Sequence, residues 1–153
     1  MIHLQNALVL QIKADVLSST AAETSSAVDC KGFNYATFLI GGEAASATDA
    51  SQTLTSLVLK ESDTTSSFAN ITEFVGGTAF TIPVNNLTGQ PMSCRFNVDL
   101  RKRKRYLQVS MQAAAASSVN TFASVILSRT NVGTLATQIS TATEAGVTTI
   151  VTA

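Results

Sequence analysis

The residues best able to do chemistry gather at two places. Arg101-Lys102-Arg103-Lys104-Arg105 holds half of the ten basic residues of the 153-residue chain. Glu61 and Asp63 stand two apart in Lys60-Glu61-Ser62-Asp63. Side chains two apart in a strand share a face, so these carboxylates have the placement of a general acid–base pair. Acidic and Ser residues also cap solvated turns, and that reading asks for less. Three readings fit the cationic run: a solvated turn, a docking surface for an acidic protein neighbour, or a nucleic-acid contact. Only Tyr106 borders it, so the interleaved aromatic platform that grips single strands is lacking.

Other reactive types are scarce. The lone His3 leaves no basis for a His-centred triad or a paired-histidine metal site. Cys30 and Cys94 are far apart, have no CxxC spacing, and read as two reduced core thiols. The glycine pairs in Ile40-Gly41-Gly42-Glu43 and Val75-Gly76-Gly77-Thr78 lack the spacing of a phosphate or dinucleotide loop. The sequence therefore assigns no catalytic, metal-ligating or cofactor-binding residue and predicts a protein that is not an enzyme.

The elements that must carry these residues are strands. Asn34-Tyr-Ala-Thr-Phe-Leu-Ile-Gly-Gly42 is aromatic and β-branched and is predicted to stop at its glycine pair. In Thr53–Ser62, Leu57 and Leu59 are expected to share a face with Thr55, against Val58 and Lys60. Phe80 and Ile82 fall in phase in a further strand that Pro83 ends. Cys94, Phe96, Val98 and Leu100 alternate with Arg95, Asn97, Asp99 and Arg101, and Leu107, Val109, Met111 and Ala113 resume the alternation. Two such runs joined by a short polar stretch predict an antiparallel hairpin with the cations at its tip. In Ser118–Arg129 apolar residues occupy both phases, which predicts burial on both sides. Phe68, Ile71 and Val75 have the spacing of one helical turn. The whole predicts an all-β antiparallel sandwich.

Net charge is zero and 13% of residues are charged. A nucleic-acid-binding domain carries a basic excess, so the balance argues against that class. A neutral surface rich in Thr, Ser and Ala suits coverage by partner subunits. No apolar run spans a bilayer, and the start lacks the cationic opening of a secretion signal, which predicts a protein made in a cytoplasm. The sequons at Asn70 and Asn86 then count as chance matches. Residues 1–30 read as an N-terminal strand or arm with a linker, 31–130 as the sandwich, and 131–153 as a C-terminal arm. Ile139, Val147, Ile150 and Val151 favour an arm that adds a strand to a neighbour over a frayed tail.

The order of segments resembles a group of small tailed-bacteriophage virion proteins. The resemblance rests on Gly32, Phe33, Ala36, Thr37 and Phe38; on Leu59, Glu61, Ser62, Asp63 and Phe68; and on Arg105, Tyr106, Leu107 and Val109, followed by a Ser/Ala/Val-rich strand. It covers about residues 31 to 129. The longer N-terminal strand region and the Thr-rich C-terminal extension depart from the pattern. The resemblance implies a jelly-roll-like sandwich acting as a capsid decoration, or cement, protein on the virion surface, and the two departures suit extended N- and C-terminal arms that reach across to neighbours. It implies a homotrimer or other homo-oligomer on the major capsid protein, with no nucleic-acid or membrane partner and no cofactor. Arg101, Lys102, Arg103, Lys104, Arg105, Ile139, Val147, Ile150 and Val151 are the expected interface residues. A head–tail connector or tail component of similar fold is the alternative, and a carbohydrate-binding module on the virion is a further one. The absence of Trp weighs against the last.

Overall fold

A computed structural model describes residues 7–17, 21–44, 54–83, 91–114, 118–130 and 146–147. Ten strands form: β1 (Leu8–Leu17), β2 (Glu23–Thr24), β3 (Val28–Asp29), β4 (Phe33–Ala44), β5 (Leu54–Ser62), β6 (Ala69–Val75), β7 (Met92–Asp99), β8 (Tyr106–Ala113), β9 (Val119–Thr130) and β10 (Gly146–Val147). They pair antiparallel in two sheets, β10-β1-β9-β4-β7 and β2-β8-β5-β6, with β3 also on β8. The pairings β1 with β9, β2 and β3 with β8, β4 with β7, and β5 with β6 describe one long hairpin rolled into two layers. That winding is a jelly roll, an antiparallel β-sandwich.

Period-two alternation drives the sheets together. From the first sheet Leu8, Leu10, Phe38, Ile40, Phe96, Val98, Val125 and Leu127 turn inward; from the second Leu57, Leu59, Leu107, Val109 and Met111 meet them. Phe74 and Phe80 close one flank on the Phe96 ring, with centroids 5.1 and 5.3 Å away. On the other flank the β1 ladder slips between Gln11 and Lys13, and the Ile12 carbonyl accepts a hydrogen bond from Ser26 N at 3.0 Å. The slip turns Lys13 toward the interior phase. Its ammonium is stationed against Glu23 at 2.9 Å, tying β1 to β2 across the sheets.

Several sequence expectations change. Arg101–Arg105 is not a hairpin tip, because β7 and β8 lie in different sheets. A 3-10 turn, Leu100–Lys102, carries the chain across, capped by the Asp99 side chain, with Leu100 buried at the end of the core. Both flanking runs need an apolar layer to face, and each finds it in the opposite sheet. The helical turn expected around Phe68, Ile71 and Val75 is strand β6, since Ile71 gains full burial that way. The strand expected at Phe80 and Ile82 is a turn, with Gly77 at φ 81° and the N–H groups of Thr78 and Ala79 bonded to the Val75 carbonyl. Strand β4 does not stop at its glycines. Gly41 lies under the Phe122 ring, where an added Cβ would sit 2.2 Å from a ring carbon. A slip between Leu54 and Ser56 buries Leu54 and exposes Thr55, so Thr55 does not share the face of Leu57 and Leu59. The segment expected to be a linker carries β2 and β3.

Phe38 is fully buried at the middle of the core. Phe38→Ala is expected to lower the unfolding free energy by about 3–5 kcal/mol, while Thr37→Ala beside it changes it by less than about 0.5 kcal/mol. Urea denaturation followed by circular dichroism checks both.

Candidate functional site

Four strands and the crossover from β7 to β8 bring charge to one corner of the sandwich. Arg101 folds back on Asp99: its Nε and Nη2 donate at 2.9 and 2.5 Å, and its backbone N–H donates to the same carboxylate at 3.1 Å. Arg103 Nη2 reaches Glu73 Oε1 on β6 at 3.2 Å, and its Nη1 stands 4.0 Å from Glu61 Oε2 on β5. The Lys104 backbone N–H donates to Glu61 at 3.2 Å, and Lys104 Nζ lies 3.6 Å from Asp63. Arg105 grips Asp29 of β3 with two parallel bonds of 3.0 and 2.6 Å. Arg101 and Arg105 also stack over Tyr35 and Tyr106, 5.6 and 4.8 Å from the ring centroids. Lys102 stays outside these ion pairs.

The run therefore does not act as one cationic patch. Successive residues splay because the 3-10 turn rotates each side chain away from the last, and each guanidinium finds an acid on a different strand. Glu61 and Asp63, the proposed acid–base pair, are two of those acids. The corner is a brace. Each exposed pair is weak alone and screened by salt, but together they fix the crossover between the sheets.

The carboxyl groups register this. The Arg101 side-chain bond, joined by the Arg101 backbone N–H, holds Asp99 down to about 2. At Asp29 partial burial pushes upward, but the Arg105 bond, the Lys31 backbone N–H and both cations outweigh it and leave the carboxyl below its ordinary value. Glu73 is lowered by its own backbone N–H, then by Thr72 and Arg103. Burial, with the Asp29 charge second, pushes the Cys30 thiol up to about 12, and burial also raises Cys94. Both thiols are free.

A cleft of about 290 Å³ lies beside the brace, lined by Glu73, Phe74, Asn97, Asp99, Lys102 and Arg103. Among the described residues no three His, Cys, Asp or Glu side chains gather to hold a metal ion. No described helix is long and apolar enough to cross a membrane.

A second feature lies on the outside of the first sheet. Strand β9 sits between β1 and β4, and only its inner phase is covered: Val119, Thr121, Ala123, Val125 and Leu127 are buried. Its other phase, Asn120, Phe122, Ser124, Ile126 and Ser128, faces outward. Phe122 is 49% exposed, Leu39 on β4 38% and Val16 on β1 45%. The expectation of burial on both sides is thus met on one face only.

Of the interface residues named from sequence, Arg101, Arg103, Lys104 and Arg105 meet at the brace. Val147 lies on β10, where its backbone stands opposite Leu10 of β1 in the same chain. Ile139, Ile150 and Val151 lie outside the described residues. Sequence reasoning did not name Asp29, Glu73 and Asp99, which only the topology brings to the cations. Nor did it name the outer face, although the two-phase pattern of Ser118–Arg129 signalled it.

No family model matches the chain, and no curated protein matches it. Two solved structures are distantly similar in shape. A protein of the Bacillus endospore appendages, a family of disulfide-linked pili, shares 15% identity at a TM-score of 0.42, over 82% of this chain and 90% of that one. The CBM22-1–GH10 modules of Clostridium thermocellum endo-1,4-β-D-xylanase 10B, complexed with xylohexaose, share 10% identity at 0.41, over 86% of this chain and 28% of that one. Neither likeness bears on function.

Two predictions follow from the charges and thiols. A carboxyl lowered in the folded state stabilises it above its unfolded value near 3.9, and that contribution is lost as pH falls toward the folded value. Stability should therefore drop as pH falls from about 4 toward 2, and Asp99→Asn should flatten that slope in urea titrations. At pH 8 Cys30 should resist iodoacetamide in the native protein and react readily in urea, as mass spectrometry of labelled peptides will report.

Proposed function

We propose that this chain is a structural virion protein that decorates and cements a bacteriophage capsid. The observation that carries this reading is the division of its surface. The charged side chains of Arg101, Arg103, Lys104 and Arg105 close on acids of the same chain, whereas the broad outer face of the first sheet keeps charge off its central strand and exposes Phe122 and Leu39. A surface of that kind suits contact with protein, because it can be desolvated without stranding ions. The resemblance of the segments around Phe38, Glu61 and Tyr106 to small virion proteins supplies the setting.

In this reading the brace gives a rigid end, and Lys102, free of the ion pairs, is the cation of the run most available to an acidic neighbour. Each copy contributes modest contact area, and many copies on a lattice resist expansion by avidity. The major capsid protein is the partner.

The test is quantitative mass spectrometry of purified particles, with cosedimentation of added protein on particles stripped of it. Hundreds of copies per particle, and stripped heads regaining heat resistance on re-addition, are expected. A dozen copies or fewer per particle would instead place the protein at a connector or tail ring, and no binding to heads would end the reading.

A further inference from the structure

The outer face of the first sheet points to a second copy of this chain as its occupant. In register across β1, β9, β4 and β7 lie Val9, Ile126, Thr37 and Asn97, then Gln11, Ser124, Leu39 and Arg95, then Ala14, Phe122, Gly41 and Ser93. Val16, Asn120 and Glu43 form the next row. The outward residues of β9 and their partners on β1 carry no charge. Charge begins at the margins, with Arg95 on the edge strand β7 and Glu43 near the end of β4.

Three observations select a second copy. The first is the pattern of β9. Its outward phase sets Phe122 and Ile126 among the small, uncharged Asn120, Ser124 and Ser128, so the row can be covered without burying a charge, and the chain's own second sheet covers only the other face. The second is charge. An isologous contact sets a patch against itself, so any central charge would meet its like. Here the centre offers Leu39, Phe122, Ile126, Ser124 and Gln11, which pack or hydrogen-bond with their own kind. The third is size. Four strands at roughly 4.8 Å spacing, running about 26 Å from the level of Glu43 to that of Tyr35, make a face on the order of 20 by 26 Å. With its side-chain relief, such a face approaches the roughly 800 Å² per partner that a stable interface needs. Phe122 is the anchor. Its ring already rests on Gly41, so it is held in place before a partner arrives and little rotamer freedom is lost on docking.

We therefore propose that two copies pack face to face through β1, β9, β4 and β7, about a two-fold axis near Ser124, with Arg95 and Glu43 at the margins. The proposal deepens the contact reading by naming a partner, but it concerns the isolated protein, so loss of particle binding and loss of pairing are read separately.

Sedimentation velocity of the full chain from about 1 to 100 µM is expected to show a dimer whose dissociation constant rises at least tenfold in Leu39→Glu, with unchanged circular dichroism. Phe122→Ser is the companion variant. Ser124→Cys should cross-link to itself between copies under mild oxidation, whereas Lys60→Cys on the second sheet should not. A monomer at 100 µM, or Leu39→Glu pairing as well as the unaltered chain, overturns the proposal. So does a monomer whose Leu39→Glu variant alone loses binding to heads, because the occupant is then the shell. An uncross-linked Ser124→Cys with no dimer also overturns it.

Discussion

The fold depends on one ladder. β9 pairs along β1 on one side, joining residues more than a hundred positions apart, and along β4 on the other. Every other element takes its place from that junction. With β1 and β9 together, β2 and β3 must pass to the opposite layer beside β8, and β4 can return to meet β7. The hydrogen bonds come from backbone groups that would otherwise be stranded beside a buried core. The apolar inner phase supplies the driving force, since burial of Leu8, Leu10, Val125 and Leu127 removes their side chains from water. Pairing of segments this remote in sequence carries a loop-closure cost that the buried core must offset.

The brace at Arg101–Arg105 is a consequence of the roll. Once β7 and β8 belong to opposite sheets, the short connection between them must cross the end of the core, and Leu100 fills that end. The cations then stand where β3, β5, β6 and β7 terminate or pass, each with an acid in reach. Basic residues that look like a binding patch in one dimension become ties between strands in three. Their value lies in the number of strands they connect: Arg103 alone reaches both Glu61 and Glu73.

The open face has the opposite logic. Among the described residues Phe122, Leu39 and Val16 stay exposed on a face whose central strand carries no charge. Exposed apolar side chains on a flat sheet invite edge or face association, and a soluble monomer would carry charge there. Instead the charge lies at Glu43 and Arg95, outside the central strands.

Period-two alternation was readable without coordinates. It placed β7 and β8 with their inward residues Phe96, Val98, Leu107, Val109 and Met111, because side-chain direction in a strand is local geometry; aromatic and β-branched composition placed β4, and short apolar runs placed β5 and β9, which together gave the all-β class. Sheet membership was not readable. Alternation says which face is apolar but not which layer it faces, so β7 and β8 looked like a hairpin when they are opposite walls. Short segments also escaped: Phe68, Ile71 and Val75 fit a helical spacing until the core drew Ile71 in as strand. The partners of the cations, and the single-sided cover of β9, arise from contacts between residues tens of positions apart. Chain composition determined that this would be a neutral β-sandwich with apolar residues to spare; only the tertiary winding decided which of them lie inside, because burial is a property of what the rest of the chain brings near.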